Sequence, residues 1–332
     1  MEDILLEVKG LHVNFVNKKK RVPAVEDVEF VVKKGETLGI VGESGCGKSI
    51  TSMSILNLLP PEAQIKEGEI IFNGSDLTKL SPKNITKIRG NEISMIFQEP
   101  MTSLNPVYTI GSQISEAIRQ HQRISKKEVK QKVIEMLTLV GIPAPEKRFN
   151  EYPHELSGGM RQRIMIAMAL SSNPKLLIAD EPTTALDVTI QAQILELMKD
   201  LKEKFNTSTI MISHDLGVIA EMADKVLVMY AGMVVEYGDV KSIFENPQHP
   251  YTKGLLNSLP KLGEKRDKLN TIEGTVPNLT EMPKGCKFWP RCPFAMDECK
   301  NSRPDLYESE NHKVRCFLFK DETKGETINE LK

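Results

Sequence analysis

Residues 42 to 49 read Gly42-Glu43-Ser44-Gly45-Cys46-Gly47-Lys48-Ser49, directly after the apolar run Thr37–Val41 and directly before a helical stretch at 50–59. This order of strand, glycine-rich turn and helix constrains the chain more than any other segment. Successive backbone N–H groups turn inward on a phosphate only where glycines permit, and a helix N-terminus favours an anion. In such a loop Gly42, Ser44, Gly45, Cys46, Gly47 and Ile50 supply backbone contacts, Lys48 reaches the β and γ phosphates, and the Ser49 hydroxyl ligates Mg2+. The Cys46 thiol is incidental to this, and Glu43 carries no role.

Elsewhere short β-branched runs alternate with helical patterns over the first 250 residues, the mark of a mostly parallel sheet covered by helices. Strands are predicted at 37–41, 93–97, 176–179, 209–212 and 226–229. Helices are predicted where Val129, Val133, Met136, Leu137 and Val140 recur, and again at Ile190, Ile194, Leu197, Met198, Leu201 and Phe205. The basic run Lys18-Lys19-Lys20-Arg21 falls between two strands and reads as a solvated hairpin tip. Charge is balanced, with 44 Lys+Arg against 45 Asp+Glu. Binding nucleic acid with the whole surface needs a basic surplus, so no nucleic-acid partner is expected. No stretch approaches the roughly 18 apolar residues of a spanning helix, and no secretory signal opens the chain, which places it on the cytosolic side.

A second set of motifs chooses among nucleotide-binding folds. Leu156-Ser157-Gly158-Gly159-Met160, followed by Arg161-Gln162-Arg163, precedes the apolar helix 164–170; Leu176-Leu177-Ile178-Ala179-Asp180-Glu181-Pro182 is an apolar strand ending in two carboxylates. Here the chain closely resembles the ATP-binding-cassette family, the first motif looking like its signature and the second like its Walker B strand. Phe15, Gln98, Thr184-Ala185-Leu186-Asp187 and His214 follow in the family's order.

The resemblance implies an α/β fold, the ABC ATPase cassette, with a RecA-like core sheet, an antiparallel β subdomain and a helical signature subdomain at about 100–165. It also implies roles. Phe15 stacks on adenine, Asp180 holds Mg2+ directly or through water, and Glu181 acts as the general base. His214 bonds the γ-phosphate, and Gln98 approaches the metal from a mobile loop. Ser157 and Gly159 face nucleotide held by an opposing subunit, so hydrolysis needs a second cassette, either a copy or a related chain, and Asp187 counts among the nucleotide-binding residues. Ile50 departs from the family's usual Thr or Ser, at little cost because its N–H remains.

Only 109 residues separate Lys48 from Ser157, which is similar to transporter cassettes and unlike the DNA-repair ATPases that insert long coiled coils there. Asn246-Pro247-Gln248-His249-Pro250-Tyr251-Thr252-Lys253-Gly254-Leu255-Leu256 resembles the region following the cassette in dipeptide, oligopeptide and nickel importers. The implied partners are two transmembrane permease subunits and, through them, an extracytoplasmic solute-binding protein. The implied location is the cytoplasmic face of the cell membrane, peripherally attached. Peptide import is the leading reading; a nickel or other small-nutrient importer is the alternative, and a soluble DNA-repair ATPase the third.

The division into domains is expected near residue 250, giving a cassette at 1–250 and a small loop-rich, metal-binding extension at 251–332. Four of the five cysteines fall in that extension, Cys286, Cys292, Cys299 and Cys316, spaced C-x5-C-x6-C-x16-C. In a reducing compartment such clustering favours a metal site over disulfides. Four thiolates suit Zn2+ or an iron–sulfur cluster, although neither C-x2-C knuckles nor ferredoxin spacing is present. Resemblance to peptide-transporter tails implies a [4Fe–4S] cluster, with Zn2+ the alternative; His312 is a further ligand by residue type.

Overall fold

The structure is a computed structural model and describes residues 3–17, 20–98, 103–184, 186–259, 272–309 and 312–320. Its strands in chain order are β1 (Ile4–Asn17), β2 (Lys20–Lys33), β3 (Thr37–Val41), β4 (Ala63–Phe72), β5 (Ser75–Asp76), β6 (Ile93–Ile96), β7 (Leu176–Asp180), β8 (Ser208–Ile212), β9 (Lys225–Tyr230), β10 (Met233–Asp239), β11 (Tyr307–Ser309) and β12 (His312–Val314). The residues group into two compact units. One comprises Met1–Leu6, Val32–Thr37 and Phe72–Ser213, the other Glu7–Val31, Leu38–Ile71 and His214–Lys332.

In the first unit β6, β7 and β8 are parallel, with Ile93 opposite Leu176 and Asp180 opposite Ile212. Every residue of β7 and β8 is buried, which is why these strands read as unbroken apolar runs and not as alternations. The helices Ile110–His121, Lys126–Leu139 and Gly158–Leu170 pack on one another. Ile110, Ile114, Ile118, Val129, Val133, Leu137 and Ile164 are fully buried there. Start signals are local. The Thr109 hydroxyl accepts from Ser112 N–H, and Ser125 forms a capping box with Glu128.

The second unit holds β1, β2 and β4, in the order β2-β1-β4, and a second run of strands in the order β11-β12-β10-β9-β3. β3 and β9 are parallel, while β9 and β10 form an antiparallel hairpin closed by Ala231 and Gly232, whose φ angles of 48° and 82° suit a tight hairpin turn. β12 then pairs with β10, Glu236 opposite Val314. The tail therefore does not stand apart as the extension expected beyond residue 250. It supplies an edge to the same run of strands as β3, and buried charges pin it. Glu236 accepts from Gln248 N–H, His249 N–H and His312 Nε2, so His312 serves this pair and not the cysteines. Glu26 receives Lys287 and Arg303, and Asp27 receives Arg315.

Local boundaries differ from the sequence pattern in two places. The helix after the glycine-rich turn ends at Ile55, not near 59, because Asn57 turns left-handed at φ 50° ahead of Pro60 and Pro61. β6 stops at Ile96, leaving Phe97 45% exposed. Lys18 and Lys19 of the basic run lie outside the described residues.

Candidate nucleotide site

The glycine-rich turn leaves β3 at Gly42, φ 150°, and passes Gly45 and Gly47 at 77° and 102° before Lys48–Ile55 begins. A Cβ at Gly42 would overlap the Met229 carbonyl oxygen and stand 2.7 Å from Cys46 Sγ; the turn can be this tight only with glycine. Lys48 is 6% exposed, and its ammonium donates to the carbonyls of Gly42 at 2.7 Å and Glu43 at 3.2 Å. It is thereby held under the loop. Ser44 and Gly45 are exposed at the tip, and Ser49 and Ile50 half-buried on the first helical turn. Cys46 is fully buried, and burial pushes its thiol up despite the opposing pull of Lys48. A thiol so placed is inert, consistent with an incidental role.

Glu43, assigned nothing from sequence, instead ties the loop to the tail. Its carboxylate takes both Nη groups of Arg291, at 2.7 and 3.1 Å, and its N–H donates to the Tyr251 hydroxyl at 2.9 Å. Phe15 lies half-buried on β1 in the same unit. His214 is exposed just ahead of Asp215, whose Oδ1 caps the helix Leu216–Met222 by accepting from Gly217 and Val218 N–H.

In the first unit β7 delivers Asp180, 5% exposed, and then Glu181 in the left-handed region at φ 48°. A bulky residue is uncommon there, and such strain gathers at functional positions. Glu181 N–H donates to Ile212 O at 2.9 Å, and its Oε2 accepts from Gln98 Nε2 and from Thr184 Oγ1, each at 2.9 Å. The sequence reading placed the Gln98 amide near a metal; here it holds a carboxylate. Thr184 opens the Thr184–Asp187 match, which by itself assigns this side chain no role. Glu99 to Thr102 and Ala185 lie outside the described residues.

Ser157 caps the helix Gly158–Leu170, its Oγ accepting from Met160 N–H at 3.4 Å. A Cβ on Gly159 would meet Ile190 Cγ2 at 2.8 Å, so glycine lets the signature turn lie against the start of Val188–Phe205. Asp187 is exposed there and spends its Oδ1 capping that helix through Ile190 N–H, at 3.0 Å. The side chain assigned to nucleotide thus has a structural partner within its own chain.

The four tail cysteines come together. Cys286, Cys292, Cys299 and Cys316 line one cavity with Phe288 and Trp289; none is in a disulfide. Burial pushes the Cys286 thiol up, Cys292 to about 11 and Cys316 to about 12, with the neighbouring cysteines adding to each. Thiolates so placed repel one another, and a cationic group among them would offset that. Among the described residues, however, no three His, Cys, Asp or Glu side chains are spaced to hold one metal ion. The expected metal-binding domain is accordingly reduced to a convergence of thiols, and the Zn2+ alternative finds no coordination geometry.

Two family models match the chain. A family model described as ABC transporter matches residues 25–184, and one described as oligopeptide/dipeptide transporter, C-terminal region, matches 235–299. The chain is 57% identical to the oligopeptide transport ATP-binding protein AppD of Bacillus subtilis (strain 168), over 96% of this chain and 98% of that protein. It is 54% identical to the dipeptide transport ATP-binding protein DppD of the same organism, over 95% and 94%. Among solved structures it is similar to the dimeric ATP-binding cassette MJ0796 in a post-hydrolysis state with ADP and Pi, at a TM-score of 0.64 and 28% identity, over 71% of this chain and 99% of that one. CbiO1 from Clostridium perfringens, part of the transporter complex cbiONQ, gives 0.64 and 28%, over 74% and 92%.

Proposed function

The chain belongs to the ATP-binding subunits of oligopeptide and dipeptide ABC transporters, and from that premise we propose how its residues divide the work. It is an ATPase that powers peptide import. The observation that carries the nucleotide reading is Lys48, buried under the loop with its ammonium on the Gly42 and Glu43 carbonyls. Gly42, Ser44, Gly45, Gly47 and Ile50 present N–H groups to the phosphates, while the Cys46 N–H keeps the turn closed on Glu43 O. Mg2+, when bound, would spread the charge that develops on the transferring phosphate. Ser49 and Asp180 offer the hard oxygen donors it prefers, Asp180 from a buried strand end. Glu181 polarises the attacking water, held in one orientation by Gln98 and Thr184. His214 positions that water against the γ-phosphate and Phe15 stacks on adenine. The test is nucleotide binding by the purified chain and hydrolysis after reconstitution with permease subunits. ATP turnover that does not respond to transported peptide and its permeases would overturn the import reading.

The assembly reading is a second cassette, two permease subunits and an extracytoplasmic binding protein, with this chain peripheral on the cytoplasmic face. Two features support it. Ser157 and Gly158 are exposed at the start of the signature helix, where N–H groups are available to nucleotide on an opposing subunit. Phe97, next to Gln98, and Val107 and Tyr108, about ten residues beyond it, are 45%, 69% and 56% exposed, the kind of apolar side chains that receive a partner helix. Among the described residues no helix is long and apolar enough to cross a membrane. Relatives named for oligopeptides and dipeptides favour peptide over nickel as solute.

For the tail we retain a [4Fe–4S] cluster as the finer reading. The four thiols line one cavity, and four cysteine thiolates are the ligand set such a cluster takes. Cys286, Cys292, Cys299 and Cys316 would hold it. Iron and sulfide per chain after anaerobic purification, with a visible spectrum, tests this; one zinc without iron, or no metal, rejects it.

A further inference from the structure

The tail reaches the phosphate loop by two routes that belong to no known motif of the loop itself. On the first, Arg291 is 4% exposed and all its groups are engaged: both Nη on Glu43, Nε on Glu273 O at 2.9 Å, Nη2 also on Ile272 O at 3.3 Å, and the guanidinium 5.8 Å from the Tyr230 ring centre. Tyr251, packed against Tyr230 and Phe288, receives the Glu43 N–H. The Glu43 carbonyl in turn accepts from Lys48 Nζ and Cys46 N–H, both at 3.2 Å. Every polar group of residue 43 is thus fixed, and one of them holds the lysine meant for the phosphates. On the second route, Lys287 Nζ donates to Ala231 O at 2.6 Å, and the next residue, Gly232, donates to Cys46 O at 2.9 Å.

We propose that Arg291 is a positioning residue for nucleotide binding: from the tail, through Glu43, it holds the phosphate loop and Lys48 in the conformation that accepts ATP. The fork-to-carboxylate geometry fixes the orientation of Glu43 as well as its charge, which a point charge at the same place does not. The inference rests on residues 42–49 being the phosphate loop. A loop held in place in advance loses less freedom on binding, so the effect belongs to affinity and to amide protection. Turnover at saturating ATP is left unchanged.

The test measures ATP affinity without hydrolysis, and hydrogen exchange at residues 42–49, in the full chain. Arg291→Ala and Glu43→Ala are each expected to weaken ATP roughly tenfold and to speed exchange in the loop, the double variant being no weaker than either single. Arg291→Lys recovers only part of the loss. Exchanging the two charges, Glu43→Arg with Arg291→Glu, restores more than either change alone. If Arg291→Ala fails to fold, Glu43→Gln and Tyr251→Phe carry the test, since each keeps its side-chain shape and both should weaken ATP. Normal affinity and normal exchange in these variants, or strictly additive losses, would overturn the proposal. Lys48→Ala separates the two levels. If it binds ATP as the parent does, the loop assignment itself fails; if it loses ATP while the Arg291 and Glu43 variants bind normally, only the positioning role fails.

Discussion

The Gln98 amide donates to the Glu181 carboxylate over 2.9 Å, and Thr184 donates to the same Oε2 from the other side in sequence. A carboxylate that accepts two hydrogen bonds on one oxygen has the other directed by them. Combined with the left-handed backbone at Glu181, this sets the side chain proposed as the base before any substrate arrives, and arrangement in advance is where such sites gain most of their rate.

Glu181→Gln keeps the shape of the side chain and removes its basicity. Phosphate release should fall by ~10²–10⁴, the usual contribution of a general base, with ATP binding retained and an ATP-bound closed dimer accumulating on gel filtration. Undiminished turnover would remove Glu181 from the role of base.

Lys48→Ala deletes an ammonium that holds the loop carbonyls and that the proposed function directs at the phosphates. Charge-assisted hydrogen bonds are worth about 1.5–3 kcal/mol each, so ATP affinity should drop by at least ~100-fold in a fluorescence titration, with a smaller loss of thermal stability.

Gly42→Ala places a methyl on the Met229 carbonyl and on Cys46 Sγ, in a backbone region with φ 150° that side chains avoid. Destabilisation of about 3 kcal/mol or more is expected, seen as a lowered denaturant midpoint with unchanged slope. A midpoint within error of the parent would mean the turn is looser than this packing implies.

Stability should also fall in mild acid through His249. Its side chain is 2% exposed, and its Nδ1 accepts Tyr251 N–H at 3.0 Å, which requires the neutral ring. Burial pushes the imidazole down to about 4, against the opposing pull of Glu236. Below its ordinary value near 6.5 the unfolded chain takes up a proton that the folded one refuses until about 4. Stability from this group is therefore complete above about pH 6.5 and is lost as pH falls toward 4, by about 2 kcal/mol at pH 5. Urea unfolding at pH 7.5 and pH 5 should show this fall in the parent, and a shallower one in His249→Asn, whose amide oxygen accepts the same N–H at either pH.

What could be read from the chain beforehand was what is local in it. The glycine-rich pattern occupies eight consecutive residues, and β7 is an apolar run that ends at Asp180, so both elements are legible without a structure. Helix starts at Thr109 and Ser125 carry their own caps. The partners of Glu43 were invisible because Tyr251 and Arg291 lie more than two hundred residues away and nothing in either neighbourhood points back. β11 and β12 span three residues each, too short for a period to show, so the tail looked like loops where it in fact joins β10. Asp187 and Gln98 illustrate the converse. A family position predicts that a side chain matters, while the hydrogen bonds it makes within its own chain depend on neighbours that only the fold supplies.

The pairing of Glu43 with Arg291 spans 248 positions, and β12 closes on β10 from still farther along. Protein synthesis proceeds at about 5–20 residues per second, so the ribosome has made the phosphate loop on the order of ten to fifty seconds before it makes the arginine that grips it. During that interval the nascent chain carries every residue of the loop and lacks its clamp. The last-made part of the polypeptide is thus a finishing step for one of the first, and a truncated product that ends before residue 291 leaves the ribosome with an ungripped loop that binds ATP more weakly than finished subunits do.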